Sequence, residues 1–292
     1  MIRFAKDKDM LRLRELWQSA FCAGGEGTNL IFETLNTPQN ILVLTDGNNH
    51  AVSMLCIRDF ALASPQKSCK AAYIYGVATD EKLRGKGFST QLLEYAHELL
   101  KRSGCVLSAL VPAQKSLFHF YGARGYETAF HLNKVEIAAD EIKRGEVFPV
   151  LPVTAEKYLQ LRDSRFSGSG MYVCWGGEWI SYIAQESALY GGGMFTITVD
   201  GKQLCAVCYR NGGTLYVKEL GAAPDTADAA IRCLSAHFKP EKMILYLRED
   251  VQTSYTNNLL PFGMVRWYDN MVKNEMSAFK GEAPYIAHAL DD

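Results

Sequence analysis

The sequence lacks an excess of charge of either sign, a long apolar run and an apolar leader at its start. Lys and Arg total 31 and Asp and Glu total 32, which leaves a net charge of −1, so a nucleic acid is not expected as the main partner. Residues 1–9, MIRFAKDKD, carry charges from Arg3 onward and no apolar region follows, which predicts a chain without a signal peptide. No apolar stretch approaches the roughly 18 residues that a membrane span requires. These absences predict a cytoplasmic protein that does not enter a membrane.

Cysteines are also few, with eight scattered over 292 residues. Only Cys205 and Cys208 have C-x-x-C spacing, and neither a second pair nor a nearby histidine accompanies them. Packing inside a strand is therefore favoured over metal binding or redox chemistry. Most of the other cysteines lie in apolar segments, which is typical of reduced thiols inside a cell. No metal is expected.

Length and composition predict two domains. The chain has 292 residues, against a typical domain of about 150, and its 48% hydrophobic content suffices for a substantial core. Charged residues, together with Pro149 and Pro152, interrupt the apolar periodicity after the first half. The expected division is a first domain over residues 1–137, a linker over 138–152 and a second domain over 153–292.

Residues 72–90 have the pattern of a strand, a glycine-rich turn and a helix. The turn reads Arg84-Gly85-Lys86-Gly87-Phe88-Ser89. The first N–H groups of a helix have no partners within it and carry the positive end of its dipole, and glycine lets a backbone wrap closely around an anion. The pattern therefore predicts a phosphate-binding turn, with a plain loop as the alternative. It is neither a P-loop, because no Ser or Thr follows Lys86, nor a dinucleotide fingerprint, because Thr90 stands where a third glycine is required.

This turn resembles motif A of the GNAT superfamily of N-acetyltransferases, Arg/Gln-x-x-Gly-x-Gly/Ala. Arg84 and Gly87 match, and Ser89 takes the last place. Further along, residues 120–127, FYGARGYE, resemble the family's FYxxxGFE segment. The two motifs, in this order and with a helix and a strand between them, imply the N-acetyltransferase fold for the first domain. That fold is α/β, an α+β mixed sheet with helices on both faces.

The second half repeats the element order of the first. TLYVKEL (214–220) resembles AYIYGVAT (72–79), AAIRCLSAHF (229–238) resembles STQLLEYAHEL (89–99), and NLLPFGMV (258–265) resembles FYGARGYE (120–127). Residues 221–225 contain no Arg-x-x-Gly, and this alignment places Leu259 opposite Tyr121. The prediction is two tandem acyl-CoA N-acyltransferase (GNAT) folds, the second degenerate and without a cofactor site. This arrangement resembles the first two domains of the enhanced-intracellular-survival (Eis-like) acetyltransferases.

The resemblance implies acetyl transfer from acetyl-CoA to an amine. The pyrophosphate of CoA would bind the turn and the start of the helix, and the pantetheine arm would lie along the preceding strand, whose N–H groups would also polarise the thioester carbonyl. The implied cofactor-binding residues are Val77, Ala78, Thr79, Arg84, Gly85, Lys86, Gly87, Phe88, Ser89 and Thr90, with Ser116 and Gln114 as further candidates. Tyr121 would be the general acid that protonates the thiolate leaving group.

The general base and the acceptor stay open. Residues 71–77 contain no carboxylate, so the candidates are Glu26, Glu33, His119 and the terminal carboxylate of Asp292, each with a solvated surface group as the alternative. The leading hypothesis is an N-acetyltransferase for a primary amine of a small molecule or a peptide. The alternatives are a non-catalytic acyl-CoA-binding or regulatory protein and a structural module. The acyl chain length, the role of the second domain and the oligomeric state, a homo-oligomer included, are also open.

Overall fold

The computed structural model describes residues 1–21, 24–168, 171–278 and 282–286. The strands are β1 Ile2–Phe4, β2 Ile41–Thr45, β3 Ala51–Ala63, β4 Ser68–Thr79, β5 Leu107–Leu110, β6 Glu127–Ala138, β7 Val150–Pro152, β8 Tyr172–Cys174, β9 Gly193–Val199, β10 Lys202–Asn211, β11 Thr214–Leu220, β12 Lys242–Arg248 and β13 Asn257–Trp267. The helices are α1 Met10–Phe21, α2 Gly25–Thr34, α3 Phe88–Arg102, α4 Lys115–Gly122, α5 Ala155–Phe166, α6 Gly177–Leu189, α7 Ala227–Phe238 and α8 Asn270–Ser277.

All thirteen strands of the described residues belong to one mixed sheet. Their order is β1-β2-β3-β4-β5-β13-β6-β12-β11-β10-β9-β7, and β8 pairs with β3 off this path. Two neighbouring pairs, β4 with β5 and β11 with β12, are parallel. Each of these pairs is connected through a helix, α3 or α7, as a parallel crossover requires. The predicted mixed α/β class is confirmed.

The second half of the chain repeats the first along this sheet. The order β2-β3-β4-α3-β5 recurs as β9-β10-β11-α7-β12. In each copy two antiparallel pairs are followed by a crossover helix and a parallel strand. The predicted tandem repeat of one fold is confirmed.

The last strand of each copy is exchanged with the other copy. β13 lies between β5 and β6 and is antiparallel to both, with Met264 opposite Leu110 and Val265 opposite Glu127. The other edge of β6 pairs with β12. Sequence reasoning had β6 closing the first domain on its own and did not anticipate this exchange. The sheet runs unbroken through both copies and β7 lies within the expected linker, so the division at residues 137 and 153 stays a prediction.

One predicted correspondence between the copies is wrong. Tyr121 lies near the end of α4, whereas Leu259 lies in β13, opposite Asn133, and is 59% exposed. Residues 249–256, all of them described, contain no helix that would match α4. Pro261 and Gly263 suggested a turn, but they stand in the strand where its register with β6 shifts. Proline and glycine are tolerated in strands at such irregularities.

Helices cover both faces of the sheet. Side chains of α1, α2, α5 and α6 share one apolar cluster, those of α3 form a second, and those of α7 form a third. Cys205 and Cys208 are both buried in β10, the first in the cluster with α5 and α6 and the second in that with α7. These positions fit the packing interpretation of the C-x-x-C pair. Among the described helices, none is both long and apolar enough to span a membrane.

His97 belongs to the buried face of α3 and connects this helix to the exchanged strand β13. It is 3% exposed, with Nε2 3.0 Å from the Tyr126 hydroxyl and Nδ1 2.6 Å from Nη1 of Arg266. Because arginine only donates, Nδ1 accepts and Nε2 carries the proton. Burial, and secondarily the charge of Arg266, lowers the pKa of His97 from 6.5 to about 3.

This histidine makes stability fall with decreasing pH. Between the unfolded pKa of 6.5 and the folded pKa of about 3, the unfolded chain binds more protons than the folded protein, so protonation favours unfolding. Below about pH 6 we expect His97 alone to remove up to about 1.4 kcal/mol from the free energy of unfolding per pH unit. Urea unfolding at several pH values measures this slope. His97→Gln should flatten it, and an unchanged slope would contradict the assignment.

Candidate active site

β4 contains a bulge near its carboxyl end. Its pairing register with β3 shifts by one residue around Gly76 and Val77. Gly76 has φ +59°, and a Cβ added there would lie 2.3 Å from a ring carbon of Trp17 in α1. Only glycine fits this conformation and this close approach. The bulge re-aims the backbone groups of the strand that follows it.

The close approach of Gly76 to Trp17 predicts a large loss of stability in the variant Gly76→Ala. Trp17 is 3% exposed and its ring contacts Phe21, Phe32 and Tyr75, so it cannot swing away from an added methyl group. Overpacking and the left-handed backbone together should lower the free energy of unfolding by about 2–4 kcal/mol, measured in urea. Trp17→Leu in the same chain should recover part of this loss. Strictly additive effects of the two substitutions would argue against direct contact.

β4 and β5 separate as they approach the bulge. They pair only at Ala72 with Ser108 and at Tyr73 with Ala109, while β4 continues to Thr79. From residue 74 onward, β4 pairs with no described strand on this side. In the second copy β11 and β12 stay paired as far as Val217, close to the end of β11. The first copy therefore has the longer opening, in which an extended ligand can pair with the strand edge.

The turn after β4 presents positive charge and an uncapped helix start. Gly85 and Gly87 both have φ +78°, and Gly87 precedes α3 without a side-chain cap. Arg84 and Lys86 are exposed, and neither forms a salt bridge with a described carboxylate. The unpaired N–H groups at the start of α3 and these two cations suit a polyanion such as a pyrophosphate.

The equivalent turn of the second copy is closed. Ala222, Thr226 and Ala227 are at most 1% exposed. The Thr226 hydroxyl accepts from the Ala223 N–H at 3.0 Å, and Arg165 donates to the Ala222 carbonyl at 3.0 Å. Side chains and hydrogen bonds thus fill the space before α7 that corresponds to the open space before α3 in the first copy. In this respect the second copy is degenerate.

Tyr121 combines a buried ring with an unpaired hydroxyl. The residue is 7% exposed, and its ring contacts Phe120 and Tyr126 edge-on. Burial raises the pKa of Tyr121 to about 12, against the opposing effect of Arg124. The hydroxyl forms no hydrogen bond with any described residue. A neutral phenol that keeps its proton and has no protein partner is suited to donate to a ligand.

The predicted site residues on α2 and α4 other than Tyr121 lie at the surface. Gln114 and Ser116 are exposed at the start of α4, and His119 is exposed further along it. Glu26 and Glu33 are exposed on α2, and Asp292 lies outside the described residues. The base therefore stays a hypothesis among these groups. Among the described residues, no group of three or more His, Cys, Asp or Glu side chains could hold a metal ion.

Sequence reasoning missed Gly76, Trp17 and Arg124. A glycine within an apolar strand pattern was the available signal for the bulge. Trp17 belongs to the predicted apolar face of α1, and its contact with the bulge depends on tertiary packing. Arg124 stands at a variable position of the FYxxxGFE pattern, so no sequence signal marked it.

Comparison with known proteins gives a domain match for the first part of the chain and a set of similar folds. Residues 1–129 match the family model of the acetyltransferase (GNAT) domain. Similar solved structures include a probable N-acyltransferase from Enterococcus faecalis V583, at 17% identity over 91% of this chain and 72% of that chain with a TM-score of 0.74. A GCN5-related N-acetyltransferase from Anabaena variabilis is 15% identical over 92% and 73%, with a TM-score of 0.76. Eis1 from Mycobacterium abscessus is 12% identical over 93% and 75%, with a TM-score of 0.68. A search of curated proteins gives no significant match.

Residues 1–129 thus match a GNAT domain, the domain of N-acetyltransferases, and this match supports an N-acetyltransferase. The identities with the solved structures are low, so those structures establish the fold. That fold, two tandem GNAT copies along one sheet, is the Eis-like architecture that the sequence motifs predicted.

Proposed function

We propose that the chain transfers an acetyl group from acetyl-CoA to the primary amine of a small molecule or a peptide, by direct attack of the amine on the thioester. The observation that best supports this proposal is the difference between the two copies. The first has an open strand pair, an uncapped helix start beside Arg84 and Lys86, and the unpaired Tyr121 hydroxyl. In the second copy the turn is filled, and no helix matches α4. The features that a CoA thioester needs thus occur together in one copy.

Each part of acetyl-CoA has a counterpart in the first copy. The backbone N–H groups from Gly85 to Thr90 would bind the pyrophosphate. The pantetheine arm would extend along Val77, Ala78 and Thr79, where β4 has left β5. N–H groups displaced by the bulge would then meet the thioester carbonyl and stabilise the oxyanion that forms when the amine attacks.

Tyr121 would complete the transfer as the general acid. When the tetrahedral intermediate collapses, the carbon–sulfur bond breaks and the hydroxyl proton passes to the departing thiolate sulfur. The attacking nitrogen, which has gained a bond to carbon, gives up a proton and restores the hydroxyl. A pKa of about 12 means that Tyr121 holds its proton at neutral pH, as a general acid must before the reaction.

The same proposal covers the organisation of the chain. We propose a catalytic domain over residues 1–137, a linker over 138–152 and a second domain over 153–292 without a cofactor site, in a cytoplasmic enzyme. The family match ending at residue 129 and the buried turn around Ala222 support this division. The second domain also contributes β13 to the sheet of the first.

Calorimetric titration with acetyl-CoA, followed by an assay for CoA thiol release, tests the proposal. We expect micromolar binding at one site per chain and thiol release with some members of a panel of small primary amines and peptides. Binding without release from any amine would favour the non-catalytic acyl-CoA-binding alternative. Absence of binding would refute the proposed function.

A further inference from the structure

Arg124, in the turn between α4 and β6, holds its guanidinium against the first turn of α3. Nε and Nη2 donate to Oγ1 of Thr90 at 3.1 and 2.5 Å, and Nη1 donates to the Phe120 carbonyl at 2.5 Å. The guanidinium carbon lies 3.5 Å from the centroid of the Phe120 ring. Three hydrogen bonds and a stacked ring fix the plane of the guanidinium, unlike that of a mobile surface arginine.

No described carboxylate forms an ion pair with this fixed cation, and Glu94, one turn beyond Thr90 on α3, acts on it only at longer range. Arg124 is half-buried, and the loss of solvent lowers its pKa from the usual arginine value. Two arginines that are largely buried, Arg3 and Arg162, pair with Asp9 and Glu219. Arg124 forms no salt bridge with any described carboxylate. An immobilised arginine without an ion-pair partner favours the binding of an anion from solution.

Thr90 adds a second donor at the same place. Its hydroxyl accepts two N–H bonds from Arg124, so its own proton is not used in this contact. Thr90 belongs to the first turn of α3, whose N–H groups have no partners within the helix. The hydroxyl proton, the unused N–H groups of the guanidinium and these backbone donors lie together beside the turn that Gly87 ends.

We propose that Arg124 and Thr90 together bind a phosphate group of CoA, which makes Arg124 a cofactor-binding residue outside the glycine-rich turn. This inference rests on the proposed function. The rigid guanidinium fork matches phosphate oxygens better than a lysine would. The same side chain joins α3 to α4 through Phe120, the residue before Tyr121. Arg124 therefore positions both the phosphate site and the helix that contains the proposed acid.

The test compares acetyl-CoA with acetyl-pantetheine, a donor that has the same thioester but lacks the nucleotide and its diphosphate. Arg124→Gln removes the charge and keeps an amide that can reach Thr90. We expect the Kd for acetyl-CoA to rise about 10- to 100-fold, as for the loss of hydrogen bonds to a charged group. The preference for acetyl-CoA over acetyl-pantetheine, as a ratio of kcat/KM values, should fall by a similar factor. The salt dependence of acetyl-CoA binding should also weaken.

Arg102→Gln is the matched control. Arg102 is exposed on the last turn of α3, about 20 Å from its first turn, so the same change of charge there should leave the donor preference as in the wild type. Thr90→Val is the second variant, because it removes the hydroxyl and keeps the charge. It should reduce the donor preference by a smaller factor than Arg124→Gln.

Two results would overturn the inference. Equal losses with acetyl-CoA and acetyl-pantetheine would mean that Arg124 only supports α4, and an unaltered Kd for acetyl-CoA in a folded Arg124→Gln variant would exclude a phosphate contact. Either result would leave the proposed function standing. Failure of the wild-type chain to bind acetyl-CoA would instead refute both.

Discussion

Gly87→Glu should abolish acetyl-CoA binding in a protein that stays folded. Gly87 is exposed and has no atom within 4 Å of an added Cβ, so the side chain itself meets no obstacle in the fold. Its φ of +78° makes a non-glycine residue cost about 1–2 kcal/mol of stability. The new carboxylate would stand at the start of α3, where the pyrophosphate is proposed to bind. Calorimetry should detect no binding at concentrations that saturate the wild type.

Gly104→Glu provides a matched control at the other end of α3. Gly104 has φ +79° and is equally open, so both substitutions introduce the same strain and the same charge on an exposed turn. The control should lose a similar amount of stability and keep its affinity for acetyl-CoA. If Gly87→Glu were folded and bound acetyl-CoA as the wild type does, the assignment of residues 84–89 to motif A would be wrong.

Tyr121→Phe should separate binding from chemistry. Removal of the hydroxyl should lower kcat about 100- to 1000-fold, within the usual range for general acid–base catalysis, and leave the Kd for acetyl-CoA unchanged. Since the hydroxyl has no hydrogen-bond partner among the described residues, stability should change little. Thiol release and calorimetry on the same preparations measure both effects.

The pH dependence of the activity provides a second test of the role of Tyr121. Its pKa of about 12 keeps the acid protonated up to about pH 11, so any loss of wild-type activity below that pH has to come from another group. Tyr95→Phe, at a tyrosine that is 45% exposed on α3, should match the wild type throughout. A Tyr121→Phe variant with wild-type kcat would exclude the tyrosine as the acid.

The sequence predicted what depends on local chemistry. The glycines of the turn, the apolar periodicity of α3 and the position of Tyr121 at the end of a short helix follow from conformational preferences and spacing within a few residues. The closed turn of the second copy was also foreshadowed, because residues 221–225 lack the arginine and the glycine spacing of the first.

Features set by pairing between distant segments could not be predicted in this way. The alternating pattern of β6 fits a strand beside β5 as well as one beside β12, and nothing within residues 127–138 selects the partner. Pro261 and Gly263 carry turn chemistry, but the pairing of β13 with β6 overrides it. The contacts of Trp17 with Gly76 and of Arg124 with Thr90 join separate elements, so only the folded chain shows them.

The exchange of β6 and β13 also affects how the protein is made. Roughly 150 residues separate the end of β5 from the start of β13, and a ribosome that adds about 5–20 residues per second needs roughly 8–30 seconds to supply them. Throughout that interval the growing chain already contains the glycine-rich turn of the first copy but presents β5 as an open edge, a hazard for aggregation. We therefore expect the nascent first copy to need protection from aggregation until the second is almost complete, and a chain interrupted before β13 would leave that edge exposed.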